Sequence, residues 1–445
     1  MSSEMNIKKK NGDMPNLRFP EFQDEWKSEL MGTIYSFKSN NSLSREDLNY
    51  ENGFVKNIHY GDIHTKYHSL FDITKEAVPF INISESLNSF KEDSYCIEGD
   101  MIFADASEDL QDIGKSIEII NLNNEKLLSG MHTILARQIR DCLVIGFGAH
   151  LFRSKKIRTQ IQKEAQGTKV LGLSANRLSK IEILFPADKA EQQKIADCLS
   201  SLDKVISLQI KKIEALQQYK NGLMQKLFPA GGETVPELRF GGFQNEEAWH
   251  SLDLGSCLLK RPEYGVNAPA VPFSKELPTY LRITDIAENG SFIHEQKTSV
   301  AKNVTDSNYL KKGDIVLART GASVGKSYLY NEKDGALVFA GFLIRVKPNQ
   351  KKLNSGFLFQ YFKTEQYWKW VSLNSARSGQ PGINGSEYSA LPIVLPSMQE
   401  QQKIADCLSS LDELIVTETQ KLDVLRTHKT GLMQQLFPVM DEVNA

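Results

Sequence analysis

Residues 191–229 and 400–438 are two versions of one segment, and that duplication constrains the chain more than any local motif. The first reads EQQKIADCLSSLDKVISLQIKKIEALQQYKNGLMQKLFP and the second EQQKIADCLSSLDELIVTETQKLDVLRTHKTGLMQQLFP; the offset is 209 throughout, and 24 of the 39 positions are identical. Apolar residues recur in steps of four and three. They are Ile195, Leu199, Leu202, Ile206, Ile213, Leu216, Leu223 and Leu227 in the first copy, and Ile404, Leu408, Leu411, Ile415, Leu422, Leu425, Leu432 and Leu436 in the second. A 3.5-residue repeat held over about five heptads predicts a coiled-coil seam. Polar breaks fall at matching places, Gln209 and Lys220 against Glu418 and Lys429, which reads as a register device. Pro186 and Pro396 precede the helices and Pro229 and Pro438 end them, as helix punctuation should. At 1.5 Å per residue each helix spans ~54 Å. The alternative is two surface helices, each packed on its own domain. The length, the narrow seams and the matching partners favour pairing. Gly222 and Gly431 interrupt the pattern at equivalent places, marking either a close crossing or a weakened turn.

A second repeated element opens each half. Pro15-Asn16-Leu17-Arg18-Phe19, with Phe22 and Trp26, is echoed by Pro236-Glu237-Leu238-Arg239-Phe240, with Phe243 and Trp249. Between opening and helix lie domains that diverge far more, with landmarks in common. Gly99-Asp100-Met101-Ile102-Phe103 parallels Gly313-Asp314-Ile315-Val316-Leu317, Gly114-Lys115-Ser116 parallels Gly325-Lys326-Ser327, and Gly172-Leu173-Ser174 parallels Gly382-Ile383-Asn384. Short β-rich runs such as 281–286 and 336–346 predict a strand-rich α+β domain in each half.

Composition excludes several classes. No run of eighteen apolar residues offers a membrane span, and the first fourteen residues lack the apolar stretch of a signal peptide. Five cysteines without a C-x-x-C pair argue against zinc or a disulfide framework and for a reduced cytoplasm, each being expected as a small buried side chain. The net charge of −2 is not that of a protein coating nucleic acid indiscriminately. The halves differ, however: residues 15–185 carry 20 basic against 24 acidic residues, a net of −4, and residues 251–390 carry 18 against 12, a net of +6. Gly321-Ala322-Ser323-Val324-Gly325-Lys326-Ser327 is one residue short of a phosphate loop; it reads as a turn, either structural or presenting Arg319, Thr320 and Lys326 to DNA. Asp285 with Glu295-Gln296-Lys297 lacks the context of a nuclease carboxylate pattern. No methyltransferase, dinucleotide-binding or H-E-x-x-H motif is present, and no metal site is expected.

The paired P-x-L-R-F openings, GDIVLARTGASVGKS (313–327), SGQPGIN (378–384) and LPSMQEQQKIADCLSSLDELI (395–415) together closely resemble the specificity subunit of type I restriction-modification enzymes. The resemblance runs from Pro15 to Pro438. It implies an α+β chain with two target-recognition domains in pseudo-two-fold arrangement, joined by two long helices forming an antiparallel coiled coil. It implies a non-catalytic, cytoplasmic DNA-binding subunit that reads a split target and assembles with two methyltransferase and two motor-nuclease subunits. Those partners use S-adenosylmethionine, ATP and magnesium; this chain is expected to bind none of them. The expected segments are a flexible leader 1–14, recognition domain 15–186, central helix 187–231, recognition domain 232–390, distal helix 391–438 and tail 439–445.

Base readout needs polar side chains presented from loops, with phosphate contacts fixing register. The candidates in the first domain are His59, Tyr60, Lys66, His68, Ser107, Lys115 and Lys169; GDIHTKYH (61–68) is polar and aromatic, as groove contact requires. In the second domain they are Arg282, Thr284, Arg319, Thr320, Lys326, Arg377, Ser378 and Gln380, with Asp285 available to pair Arg282 instead. Two other readings compete: a chain that itself methylates or cuts DNA, and a scaffold that reads no sequence.

Overall fold

The computed structural model describes residues 14–376 and 379–438. Of the leader expected over 1–14 only Met14 is described, and the tail expected over 439–445 lies outside the described residues. The chain divides into two units, residues 1–209 with 421–445, and residues 210–420. Helices Lys189–Leu227 and Met398–Leu436, 39 residues each, contribute one end to each unit. Among the described residues no helix is long and apolar enough to cross a membrane, and no group of three His, Cys, Asp or Glu side chains is placed to hold a metal ion. The five cysteines are free thiols; Cys96 and Cys257 are buried, but Cys142, Cys198 and Cys407 are only half-buried, because the last three lie on domain and helix surfaces.

Each unit carries one strand-rich domain, and the two share a strand order. In the first unit, Tyr35–Lys38, Thr133–Gln138, Met101–Ala104, Ser116–Asn121 and Leu70–Asp72 are neighbours in a five-stranded mixed sheet. In the second, Glu263–Tyr264, Leu343–Val346, Ile315–Ala318 and Ser327–Leu329 follow the same order. A second sheet in each domain contains a parallel pair, Lys56–Ile58 with Leu127–Ser129 and Thr279–Leu281 with Leu337–Phe339. Met101–Ala104 and Ile315–Ala318 are buried at every position, so they read as unbroken apolar runs rather than alternating ones. The G-D landmark before each is a turn locked by charge. Gly99 and Gly313 adopt φ of +90° and +88°, a region glycine enters without steric cost. Asp100 then pairs with Arg137 at 2.7 Å and Asp314 with Arg345 at 3.4 Å.

The repeated opening and the repeated helix start turn out to be two parts of one device. Arg18 is bidentate to Glu191, at 2.6 and 2.7 Å; Arg239 is bidentate to Glu400, at 2.9 and 2.6 Å. Both glutamates are buried, and their arginines neutralise them. The next residue is a buried amide. The Gln192 side chain accepts from Val144 N and donates to the carbonyls of Cys142 and Pro186. Gln401 accepts from Asn354 N and donates to those of Lys352 and Pro396. Each helix start is thereby fixed to the domain that precedes it.

Helix ends also enter the domain cores. In the first unit Ile195 and Leu199 of the central helix and Leu436 of the distal helix pack with Trp26, Phe147 and Phe152. In the second, Ile404 and Leu408 of the distal helix and Leu227 of the central helix pack with Trp249, Phe357 and Tyr361. All sixteen expected seam residues are buried or half-buried, whereas Val205, Leu208, Tyr219, Val416 and Val424 beside them are exposed. Domain packing thus accounts for the ends of each seam, as the alternative reading required.

Along the second unit the two helix segments run antiparallel. Lys212 meets Glu418 at 2.6 Å, and Lys220 meets Asp412 at 2.6 Å. Gln360 and Lys363 of the domain close on the same Asp412 carboxylate, at 2.8 and 3.1 Å. In the first unit Lys429 pairs with Asp203. The 209-residue offset maps Asp203 onto Asp412 and Lys220 onto Lys429, so the two pairs are copies of one interaction.

Candidate nucleic-acid interface

In the first domain the chain leaves strand Lys56–Ile58 at His59, whose Nδ1 caps the six-residue helix Tyr60–Thr65 by accepting from Gly61 N at 3.1 Å. Burial, then the neighbouring Arg45, push the His59 imidazole below its usual pKa. The Tyr60 ring lies among three imidazoles, with centroids 4.8 Å from His59, 6.1 Å from His64 and 5.2 Å from His132. His64 Nε2 contacts the Ala106 carbonyl at 3.0 Å, and Lys115 Nζ donates to the His64 carbonyl at 2.6 Å. His132, at a φ of +58°, lies 3.2 Å from Asp105, whose carboxyl is pushed up by burial. Beneath them Asp62 is buried. Burial would raise its carboxyl, but hydrogen bonds from Arg45 and Lys66 outweigh that and hold it low.

The structure thus brings together His59, Tyr60 and Lys115 of the expected set and adds His64, His132, Asp105 and Arg45. Lys66 spends its charge on Asp62 and lies 3.2 Å from the Tyr50 hydroxyl. His68 is exposed and bonds Glu76 at 2.8 Å. Ser107 accepts from Asp109 N at 3.0 Å. Lys169 is exposed, two residues from Gly167, where φ is +133°.

In the second domain Arg282 is held by Asp285, at 2.6 to 3.2 Å, and Thr284 is exposed with its hydroxyl 3.4 Å from the same carboxylate. The Arg319 guanidinium lies 4.9 Å over the Tyr264 ring. Its Nε is buried without a partner. Thr320 bridges to Gly382, and Gly321 N donates to the Pro381 carbonyl at 3.0 Å. A Cβ at Gly321 would stand 3.0 Å from the Gln380 amide nitrogen, so Arg319, Thr320 and Gln380 share one edge. Lys326 pairs with Glu288. Gly321–Ser323 is a single 3-10 turn, and Gly325, at φ +91°, is walled in by Val371 and Trp368; the loop is a tight re-entry into strand Ser327–Leu329 with no phosphate cradle. Arg377 and Ser378 lie outside the described residues.

Backbone hydrogen bonds show that these two regions occupy the same place in the two domains. Asp105 N donates to the His132 carbonyl and Leu173 N to that of Asp105, at 3.0 and 2.8 Å. Arg319 N donates to the Phe342 carbonyl and Ile383 N to that of Arg319, at 3.0 and 2.9 Å. Gly130 N donates to the Ile58 carbonyl and Ala340 N to that of Leu281, both at 2.9 Å. His59 therefore corresponds to Arg282, Asp62 to Asp285, His132 to Phe342 and Asp105 to Arg319. The sequence carries one signal of this that a fixed offset conceals: I-H-Y-G-D-I at 58–63 against L-R-I-T-D-I at 281–286.

The model of the type I restriction modification DNA specificity domain matches the chain twice, over residues 23–218 and 277–427. The putative type I restriction enzyme MjaX specificity subunit of Methanocaldococcus jannaschii is 25% identical over 356 residues, covering 77% of this chain and 78% of that one. The type I restriction enzyme StySPI specificity subunit of Salmonella potsdam is 23% identical over 300 residues, 65% of this chain and 63% of that one. The crystal structure of the type I restriction-modification S subunit from M. genitalium superposes with a TM-score of 0.59 at 17% identity, covering 96% of this chain and all of that one; at that identity the likeness concerns the fold.

Proposed function

The chain belongs to the family of type I restriction-modification specificity subunits, and from that premise we propose how its parts divide the work of recognising DNA. Specificity subunits are non-catalytic, and this one acts in DNA recognition and in assembly of the restriction-modification complex. Each domain reads one half of a bipartite target in double-stranded DNA. The two long helices form an antiparallel coiled coil with pseudo-two-fold symmetry, which sets the spacer and docks two methyltransferase subunits; two motor-nuclease subunits join them in the cytoplasm. S-adenosylmethionine, ATP and magnesium belong to those partners.

The observation that carries the reading is the shared backbone frame with different side chains on it: His59, Asp105 and His132 in one domain, Arg282, Arg319 and Phe342 in the other. A common frame with unlike polar groups is what two readers of unlike half-sites require. The copied pair, Asp203 with Lys429 and Asp412 with Lys220, supports the symmetric helix pairing. Thirty-nine residues span ~58 Å, long enough to hold two readers about one turn of B-DNA apart, ~34 Å.

The test is to exchange residues 251–390 for the corresponding domain of a relative and to sequence the methylome of the host. One half-site should change while the other and the spacer stay. An unchanged target would mean that the domains read no sequence, and methylation or cleavage by the purified chain alone would mean that it is itself an enzyme. With a net charge of −2, the isolated chain should hold DNA weakly and lose it steeply with salt; titration with and without methyltransferase subunits measures the difference.

A further inference from the structure

Asp105 and Arg319 stand at one position of the common frame, with side chains of opposite charge and opposite hydrogen-bonding sense. Each is the first residue beyond a fully buried strand, Met101–Ala104 or Ile315–Ala318. Each is clamped through both backbone groups by equivalent neighbours, His132 and Leu173 for Asp105 and Phe342 and Ile383 for Arg319, so the main chain leaves neither free to turn away. A carboxylate only accepts hydrogen bonds and a guanidinium only donates them.

The surroundings of each fit a ligand that comes from outside. The Arg319 guanidinium carbon lies 4.9 Å from the centroid of the Tyr264 ring, itself about half exposed, and its Nε is buried and unpaired. No carboxylate among the described residues pairs with it. A guanidinium held over an aromatic ring by cation–π attraction is restrained before any ligand arrives, which lowers the entropy lost on binding. Phe342, whose carbonyl holds Arg319 N, is 59% exposed, an apolar surface beside a donor fork. Asp105 faces the exposed His132 with one oxygen, at 3.2 Å. Its other oxygen makes no hydrogen bond to the described residues and can accept one.

We propose that Asp105 and Arg319 are the equivalent base-reading positions of the two domains and set opposite hydrogen-bonding polarity in the two half-sites. Arg319 takes the acceptor edge of a guanine, O6 and N7, in the major groove; Asp105 takes an exocyclic amino group, that of cytosine in the first instance. Tyr264 is a positioning residue for Arg319. The inference rests on the reading of both domains as DNA readers.

The test uses the assembled methyltransferase complex and a panel of duplexes, each with one base pair of the target replaced. Arg319→Lys keeps the charge and loses the planar fork. It should cut discrimination by about 5- to 150-fold at one G·C pair, in the half-site that follows residues 251–390 on domain exchange, and leave every other position intact. Tyr264→Leu should lose discrimination at that same pair, and Tyr264→Phe should retain it. Asp105→Asn should relax or re-assign one position of the other half-site only. A uniform fall in affinity across the panel would make Arg319 a phosphate contact and overturn the inference. So would an unchanged panel for folded Arg319→Lys and Asp105→Asn, judged by wild-type melting. Failure of the premise is distinct, because then the domain exchange itself moves neither half-site.

Discussion

Asp412 is the point where both helices and the second domain meet, and removing its charge should cost far more than removing the partner lysine. The carboxylate takes Lys220 and Lys363 together with the Gln360 amide. Burial pushes the Lys363 ammonium down to about 8 although Asp412 opposes that shift. Burial alone would raise the Asp412 carboxyl; the two lysines outweigh it and hold it low. Asp412→Asn keeps the shape and leaves two like charges facing an amide, with the Lys220 side chain only 8% exposed. Breaking a buried pair from one side costs ~3–5 kcal/mol. The Asp412 side chain is 31% exposed, and partial screening reduces that to roughly 2–4 kcal/mol. Lys220→Met leaves the carboxylate with Lys363 and Gln360 and should cost only ~0–1 kcal/mol. Thermal unfolding followed by tryptophan fluorescence is the assay, since Trp249, Trp368 and Trp370 lie in this unit and Trp26 in the other. For a unit of this size Asp412→Asn should lower the midpoint by roughly 4–16 °C. The double variant should lose less than the sum of the two. Equal small losses from both single variants, with no coupling, would refute the reasoning, because the cluster would then be solvated and would hold nothing.

Two further expectations follow from buried charges. His150 is buried against Ser200, near Asp203, Lys429 and Arg153, and burial lowers its imidazole to about 4; stability is therefore complete above about 6.5 and falls by ~3 kcal/mol as pH drops towards 4. Burial raises Glu118 to about 7 against two backbone N–H donors, so its contribution is complete below about 4.5 and is lost as pH rises to 7. The two slopes oppose each other in the first unit: urea midpoints of the native chain should vary little from pH 4.5 to 6.5, those of His150→Gln should fall with rising pH, and those of Glu118→Gln should rise. Parallel profiles for all three would discard the assignment. At the helix starts, Arg239→Met strands a buried Glu400 and should cost ~3–5 kcal/mol. Arg18→Met should cost less, because Trp26 Nε1 also lies 3.3 Å from Glu191 and Arg18 is more exposed; equal losses in denaturant melts would count against that difference.

The helices were legible because one physical demand repeats in them at a constant spacing. Glu191 and Gln192, with their copies Glu400 and Gln401, must satisfy buried polar groups of the adjoining domain, and the apolar positions must stay out of water. That also revises the meaning of the identity: much of the E-Q-Q-K-I-A-D start is held by contacts inside the chain. Gln193, Lys194 and Asp197 match Gln402, Lys403 and Asp406 and are exposed in both copies, so burial does not account for their identity; Lys194 pairs with Glu21, and Gln193 and Gln402 bond Asp197 and Asp406 on their own helices. The candidate interface was legible only piecemeal. The offset between equivalent residues drifts from 223 at Ile58 and Leu281 to 210 at His132 and Phe342, so an alignment at fixed spacing separates His59 from Arg282. Pairing across long separations was invisible as well: the basic Lys326 looked available, and Glu288, far off in sequence, occupies it. His132 gave no local sign of its positive φ.

The division between fixed and variable parts runs along single strands. From Ile315 to Ala318 and from Met101 to Ala104 every side chain is buried, and overpacking or voids there would cost ~1–3 kcal/mol or more. One residue later the two domains differ by a full reversal of charge. Nothing about the frame resists that reversal, because the frame uses only the backbone N–H and carbonyl of the residue, and those are the same in aspartate and arginine. The pairs Asp100 with Arg137 and Asp314 with Arg345 meanwhile tie the start of each of these strands to its neighbour in the sheet. The residue at the strand end can therefore change without disturbing the frame, and on the proposal above that is where recognition would vary. The net charges of −4 and +6 show that the domains differ in surface chemistry on this shared frame, whereas the helix starts, tied to buried polar groups of each domain, are nearly identical.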